Sequence, residues 1–413
     1  MKLWNLLIIG AGPAGLNAAI AAAEEGLKVK IIDEFTKVGG RLLGQLHQES
    51  TGNWWNGIEV ATGLHEKAVH LGVKIECGVS VYDLEQSEFG WKAYTSQGIE
   101  KTDKLLLATG ATEVPNPIPG WTIPGVMSIG AAQVMGNVHR VKPGNTCVII
   151  GANVLSIAIA NELKLCGVDV KEIIIPQANT NLSDNGTPEK VMESFMRLTH
   201  MAPTVLLRQA GKVAKYIHPS FAVKFYPKNG IKLFDIPIKI KTAATEILGE
   251  SKVTGVKTVN VRPNGEIISN TEKIIEADFV CIAGGLAPLP ELAALSGCVF
   301  KYVRELGGHV PIHSERMETN VENLFVAGNI TGVENAKIAM AQGTVAGLTI
   351  ASEINGNKLQ MESLIEKAVA AVRKERDEAL IQFQPNIAEA RDLIYQEFEL
   401  EDRNMESPKR SIS

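Results

Sequence analysis

Short unbroken apolar runs recur along the chain, and two of them open the same larger pattern. Asn5–Gly10 (NLLIIG) is a run of β-prone residues without polar alternation, which predicts a strand buried on both faces of a parallel sheet. A glycine-rich turn follows, then an alanine-rich stretch (LNAAIAAAEEG) that predicts a helix closed at Gly26. A second apolar run (KVKIIDE) then delivers Asp33 and Glu34 to its end. The pattern returns at Val148–Pro176 (VIIGANVLSIAIANELKLCGVDVKEIIIP), where Gly151 and Gly167 have the same separation as Gly10 and Gly26. A β-rich stretch follows each unit and ends alike, in GIEKTDKLLLATGATEVP (98–115) and KIIEADFVCIAGGLAPLP (273–290). The proline-rich VPNPIPGWTIPG (114–125) disfavours helix and central strand, and predicts the crossing between units. The expected organisation is α/β, with a discontinuous first domain (1–115 and 290–355) and a second domain (116–289) inserted in it. Residues 361–397 read as charged amphipathic helices interrupted near Pro385, so 356–413 forms a helical extension with a disordered polar end (EDRNMESPKRSIS).

The first glycine turn points to a ligand. Gly10, Gly12 and Gly15 form G-x-G-x-x-G between strand and helix. The first glycine allows the tight turn, the second lets a pyrophosphate approach the backbone, and the third lets helix and strand pack closely. Asp33 lies 18 residues after Gly15, near the roughly 20-residue spacing of a carboxylate that binds ribose hydroxyls. Strand, glycines, helix, strand and terminal acid in this order predict an adenine dinucleotide. In the second unit Asn153 replaces the second glycine, Ser156 the third, and Ile174 stands where Asp33 would be. With no carboxylate for a 2′-hydroxyl, no arginine for a 2′-phosphate and a side chain where bare backbone is needed, NAD(P) binding there is expected to be weak or lost.

Composition narrows the classes. The chain has 413 residues, 45% hydrophobic and 21% charged, with a net charge of -5, so there is room for two or three cores and no basic footprint for nucleic acid. The apolar N-terminal stretch is too short to span a bilayer. Cys77, Cys147, Cys166, Cys281 and Cys298 form no CxxC, which argues for reduced thiols and a cytoplasmic protein. His309 and His313, four apart in an extended-looking segment, read as polar surface rather than metal ligands.

Four motifs in order, GAGPAG, ATG at 108–110, the second unit at 148–176 and TNVENLFVAGNITG (319–332), resemble the two-dinucleotide-domain flavoproteins, that is, thioredoxin reductase and the pyridine nucleotide-disulfide oxidoreductases. The resemblance covers about residues 3–355 and looks closest to the α-type subunits of sarcosine oxidase, opine oxidase, hydrogen cyanide synthase and dye-linked L-proline dehydrogenase. It implies two Rossmann-like domains of the thioredoxin-reductase and glutathione-reductase type. It also implies FAD at the first site, with NAD or ATP as alternatives known among relatives. Carried over residue by residue, Gly10, Gly12, Pro13, Ala14 and Gly15 would cradle the pyrophosphate, and Asp33 and Glu34 would meet the adenosine ribose. Gly40 and Arg41 would lie along the ribityl and pyrophosphate, Val81 would read adenine through its backbone, and Thr109 and Gly110 would pass the adenosine side. Gly328 and Asn329 match the family's AGD motif with Asn in place of the acid. The long helix after them would aim its N-terminus at the flavin pyrimidine, with Lys337 close by.

The chain departs from the disulfide reductases in having no redox cysteine pair. It also has no cysteine after Cys298 to ligate the iron-sulfur cluster that the opine-oxidase branch adds. Three functions remain open. One is an FAD-containing subunit relaying electrons from a partner flavin-containing β-type subunit that oxidises a small amine or amino acid. A second is a stand-alone NAD(P)H:acceptor oxidoreductase, and a third is a non-catalytic dinucleotide-binding scaffold. Self-association is the alternative to a β-type partner. The loop GRLLGQLHQESTGNWWNGIE (40–59) offers Trp54 and Trp55 either as an interface anchor or as filling for a local pocket. No residue is assigned a catalytic role.

Overall fold

The computed structural model of the chain describes residues 3–48, 52–88, 90–178, 186–197, 218–379 and 386–406. Pro385, residues 49–51 of the Trp54–Trp55 loop and 407–413 of the polar end lie outside them. Two compact units emerge: 1–45, 56–112 and 286–413 form the first, 46–55 and 113–285 the second.

In the first unit, β1 (Leu3–Ile9), α1 (Pro13–Glu24) and β2 (Val29–Asp33) form the expected strand–turn–helix–strand. β1 is central, with β2 on one side and the strand Gly98–Leu107 on the other, both parallel to it. Leu6, Leu7 and Ile8 are fully buried, which is why this run carries no polar residue. Gly98–Leu107 changes partner along its length. Its first half pairs antiparallel with Gly90–Thr95, and its end pairs parallel with Leu324–Val326, which brings the return segment to the sheet.

The second unit repeats the plan with β3 (Thr146–Ile150), α2 (Val154–Leu165) and β4 (Asp169–Pro176). β3 lies between β4 and Phe279–Ile282, both parallel to it. The two turns share one hydrogen-bond scheme. Gly10 N donates to Ile32 O at 2.8 Å and Ala108 N to Ile9 O at 2.8 Å; Gly151 N donates to Ile174 O at 2.8 Å and Ala283 N to Ile150 O at 2.8 Å. Gly10 (φ +109°) and Gly151 (φ +119°) both need the left-handed region, and a Cβ on either would overlap the carbonyl of Ala108 or Ala283.

The units cross at 112 and 286 where the sequence reading put 115 and 290, and two further segments fall elsewhere than that reading placed them. Leu46–Trp55 belongs to the second unit, where the Leu46 amide donates to Glu162 of α2 and the Trp55 ring stacks on His47 with centroids 6.1 Å apart. Trp54 in the same hairpin is 54% exposed. The helices after 355 are integral to the first unit. Helix α3 (Ala336–Asn355) packs on α1 through glycines, since a Cβ at Gly343 or Gly347 would overlap the Ala14 or Ala18 carbonyl oxygen. Helices α4 (Lys358–Asp377) and α5 (Ile387–Glu406) follow, with Met361, Ile365, Val372, Ile387, Ala390 and Ile394 buried. Helix α5 runs to Glu406, so part of the end expected to be disordered is helical.

Candidate functional site

At the first turn the chain leaves room that its own packing does not require. Gly12 is the N-cap of α1 with φ -79°, an ordinary backbone, and a Cβ there would meet nothing within 4 Å. No side chain closes the helix N-terminus, so the first-turn amides that lack intrahelical acceptors face this space. Gly15 is different: its Cβ would overlap the Gly10 carbonyl, so that glycine serves the close helix–strand approach. Pro13 sits in the first turn, where its missing N–H costs nothing, and Ala14 is buried behind it. Gly40 closes the opposite side; a Cβ there would lie 3.0 Å from Gly12 Cα, and Gly39 N donates to Ala11 O at 2.8 Å.

The two carboxylates after β2 have different surroundings. Asp33 Oδ2 accepts from Ala11 N at 2.6 Å and Oδ1 from Phe35 N at 2.8 Å, so both oxygens hold the turn. Burial raises its pKa above the ordinary value, against the lowering by these two amides. Asp33, expected at the ribose, accepts one backbone amide on each oxygen, and each oxygen keeps a further lone pair. Glu34 is exposed and accepts no hydrogen bond among the described residues, which leaves it as the open carboxylate.

The remaining expected residues fall around the same unit. Arg41 is exposed, with Nε and Nη2 donating to Ala111 O at 3.1 and 3.0 Å. Val81 starts the strand Val81–Ser87, opposite Thr95. Thr109 Oγ1 donates to Leu289 O at 2.8 Å, and Gly110 O accepts from Leu289 N at 3.1 Å, which ties the two chain crossings together. Gly328 abuts α1, since a Cβ on it would lie 2.8 Å from Ala14 Cβ. Asn329 is half-buried, and its Oδ1 accepts from Glu334 N at 3.3 Å. Lys337 is exposed in the first turn of α3, whose N-cap Asn335 accepts from Ile338 N at 3.0 Å.

The second turn is closed by the residues that replace its glycines. Asn153 Oδ1 accepts from Ser156 N at 2.9 Å, and Ser156 Oγ accepts from Asn153 N at 2.9 Å, a reciprocal capping box at the start of α2. Asn153 Nδ2 also donates to Ala283 O at 3.3 Å. Ile174 is fully buried where the first unit places Asp33.

Sequence reasoning missed a buried charged cluster in the first unit. Glu334, just before α3, is bound by Arg376 of α4 and Arg391 of α5. Burial pushes its carboxyl up, but the two guanidinia outweigh that and hold it below the ordinary range. His313, expected at the surface, is fully buried. Its Nδ1 lies 2.8 Å from Pro311 O and its ring meets Tyr395 edge-on. Burial, then the charge of Arg391, brings its pKa down to about 3. His309, by contrast, is exposed beside Tyr302. No periodicity marks an arginine for burial in helices as charged as α4 and α5, so the sequence carried no signal for this cluster.

A sheet with a parallel centre and an open glycine turn on one unit, and the same plan repeated on a second, defines a two-unit α/β protein of the dinucleotide-binding type. The chain belongs to the pyridine nucleotide-disulphide oxidoreductase family, whose pattern matches residues 4–343. This places it in the flavin-dependent oxidoreductase superfamily. Among curated proteins it is 26% identical over 367 residues to an opine oxidase subunit from Agrobacterium tumefaciens (strain Ach5), covering 85% of this chain and 66% of that one. It is 22% identical over 389 residues to hydrogen cyanide synthase subunit HcnB of Pseudomonas protegens, covering 90% of this chain and 76% of that one. Among solved structures, thioredoxin reductase of T. acidophilum superposes with a TM-score of 0.60 at 23% identity, over 86% of this chain and 99% of that one, and shares the fold. Among the described residues no helix is long and apolar enough to cross a membrane.

Proposed function

We propose that the first unit holds FAD and that the chain is the dinucleotide-binding subunit of an amine or amino-acid oxidase or dehydrogenase complex, taking electrons from a partner flavin subunit. The observation that carries this reading is the asymmetry of the two glycine turns. The first has an N-cap glycine that neither conformation nor packing demands, so the open space in front of it suits a pyrophosphate. The second satisfies its own helix N-terminus through Asn153 and Ser156, which opposes an NAD(P) site there. Two similar proteins are named as subunits, of opine oxidase and of hydrogen cyanide synthase, which supports a multi-subunit setting.

In this reading the open turn from Gly10 to Gly15 binds the pyrophosphate through backbone amides, and Asp33 keeps the turn in shape by holding Ala11 N. Glu34 takes the ribose hydroxyls. Asn329 offers its side-chain amide to the ribityl hydroxyls, a hydrogen bond that an uncharged residue can still make. FAD, when bound, supplies a two-electron acceptor. Oxidising an amine to an imine releases two electrons and two protons, and that step lies with the partner. A location in the cytoplasm fits the free cysteines.

The test is anaerobic stopped-flow absorbance of the purified chain, its bound cofactor first identified, on mixing with NADH and then NADPH. A bound flavin that neither nucleotide bleaches is the expected result. Rapid bleaching would sink the reading in favour of a stand-alone NAD(P)H:acceptor oxidoreductase, and absence of any flavin would favour a non-catalytic scaffold.

A further inference from the structure

The segment joining Gly328 to α3 is held from beyond the family match. The family match ends at residue 343, whereas Arg391 lies on α5 and is 1% exposed. Its Nη1 donates to the Thr331 carbonyl and, at 3.0 Å, to Thr331 Oγ1. Its Nη2 donates to Gly332 O at 3.2 Å and to Glu334 Oε2 at 2.6 Å. Every one of these bonds goes to residues 331–334. Burying a guanidinium is costly unless it is well paired, so this arrangement commits the desolvation of a whole side chain to one short stretch of backbone.

The contacts continue inward. Thr331 Oγ1 donates to Gly328 O at 2.8 Å and accepts from Gln342 Nε2 at 3.2 Å; Gln342 Oε1 in turn accepts from Gly328 N at 3.0 Å. Gly328 stands against Ala14 in the first turn of α1, with no space for a Cβ between them. An unbroken path of hydrogen bonds and packing therefore runs from Arg391 through Thr331 and Gly328 to the open glycine turn. Arg376 braces the far end, binding Glu334 at 2.9 and 3.1 Å and Tyr395 Oη at 3.2 Å.

We propose that Arg391 is a positioning residue: it fixes Gly328–Asn335 against the first turn of α1, so that the C-terminal helix α5 sets the wall facing the dinucleotide. This rests on the reading that the turn holds FAD. Arg391 touches no part of that space itself and acts only through Thr331, Gly332 and Glu334. The C-terminal helices thus become part of the cofactor site rather than an appendage.

Full-length Arg391→Met, Arg391→Lys and Thr331→Val test it. Thr331→Val keeps the side-chain volume and cuts the link between Arg391 and Gly328, so it decides the matter if Arg391→Met fails to fold. The measurements are the rate of FAD release on dilution, the fine structure of the bound-flavin absorption bands, and amide exchange at 328–335. Arg391→Met and Thr331→Val are expected to speed FAD release about tenfold and raise exchange at 328–335. Arg391→Lys should recover part of both, and exchange in β1 and β3 should stay unchanged. Wild-type release rates and spectra in the variants overturn the proposal, as does a uniform rise in exchange across the first unit, which marks a purely structural role. If the wild-type chain carries no FAD, the functional reading fails first and this proposal with it, before any variant is made.

Discussion

At Gly12 the backbone has φ -79° and a side chain would meet only open space, so a residue other than glycine would fold there equally well. Its copy, Asn153, shows which residue the same turn accepts once the space is not needed. Gly12→Asn is therefore expected to leave the first unit as stable as before or more stable by roughly a few tenths of a kcal/mol, because asparagine caps a helix only slightly better than glycine. Dinucleotide affinity should fall roughly a hundredfold, since the side chain would take both the space and the amides. Gly15→Ala should do the reverse, costing about 1–3 kcal/mol of stability through overlap with the Gly10 carbonyl. Thermal unfolding of the ligand-free protein and a dinucleotide titration separate the two, and unchanged affinity in Gly12→Asn would refute an occupied turn. The G-x-G-x-x-G spacing was legible in the sequence, but the separate duties of its glycines were not, because they depend on which carbonyl lies across the turn.

Helix α2 begins where a phosphate-binding helix would begin, yet its first amides are satisfied by Asn153 and Ser156. A capping box of this kind contributes about 1 kcal/mol. Asn153→Ala should lower the stability of the second unit by about that amount while leaving dinucleotide binding in the first unit untouched. Unit-resolved amide exchange with a parallel binding titration checks this; loss of dinucleotide affinity would mean that the second turn, and not the first, is the occupied one. The sequence showed that the copy had lost its glycines and its carboxylate. It did not show what the replacements do, because a capping box is recognised by two side chains reaching back to each other's amides.

The units of the molecule carry opposite responses to pH. In the second, Glu162 is buried against Gln133, Asn137 and the Leu46 amide, with Cys166 near it. Burial raises its pKa to about 7 against the lowering by those bonds. Its folded pKa exceeds the unfolded one, so its contribution is fully present below the ordinary carboxylate range and is lost as pH rises through about 7. The loss is on the order of 3 kcal/mol. In the first unit, His313 has the opposite sign. With its pKa brought down to about 3, its contribution is present above its ordinary value of 6.5 and is lost as pH falls toward 3. Lowering the pH from 7 to 5 should stabilise the second unit and destabilise the first, as read by amide exchange in each. Glu162→Gln should flatten the slope of the second unit alone; an unchanged slope would show that another group carries it.

The order of elements, the duplication, the open first turn and the altered copy were all determined by sequence, because each depends on residues close together in the chain and on a period of two or of 3.6. The tertiary structure decided which carboxylate after β2 is engaged by the chain's own amides, since only the folded turn brings Ala11 N to Asp33. It placed Leu46–Trp55 with the second unit. It buried His313, which the sequence had assigned to the surface, and it joined Glu334, Arg376 and Arg391 across α4 and α5. Those last contacts span 42 and 57 residues, and the local pattern around each arginine is that of a solvated helix. A long-range charge pair leaves no periodic trace in sequence, because its energy comes from desolvation and geometry that exist only once the helices have packed.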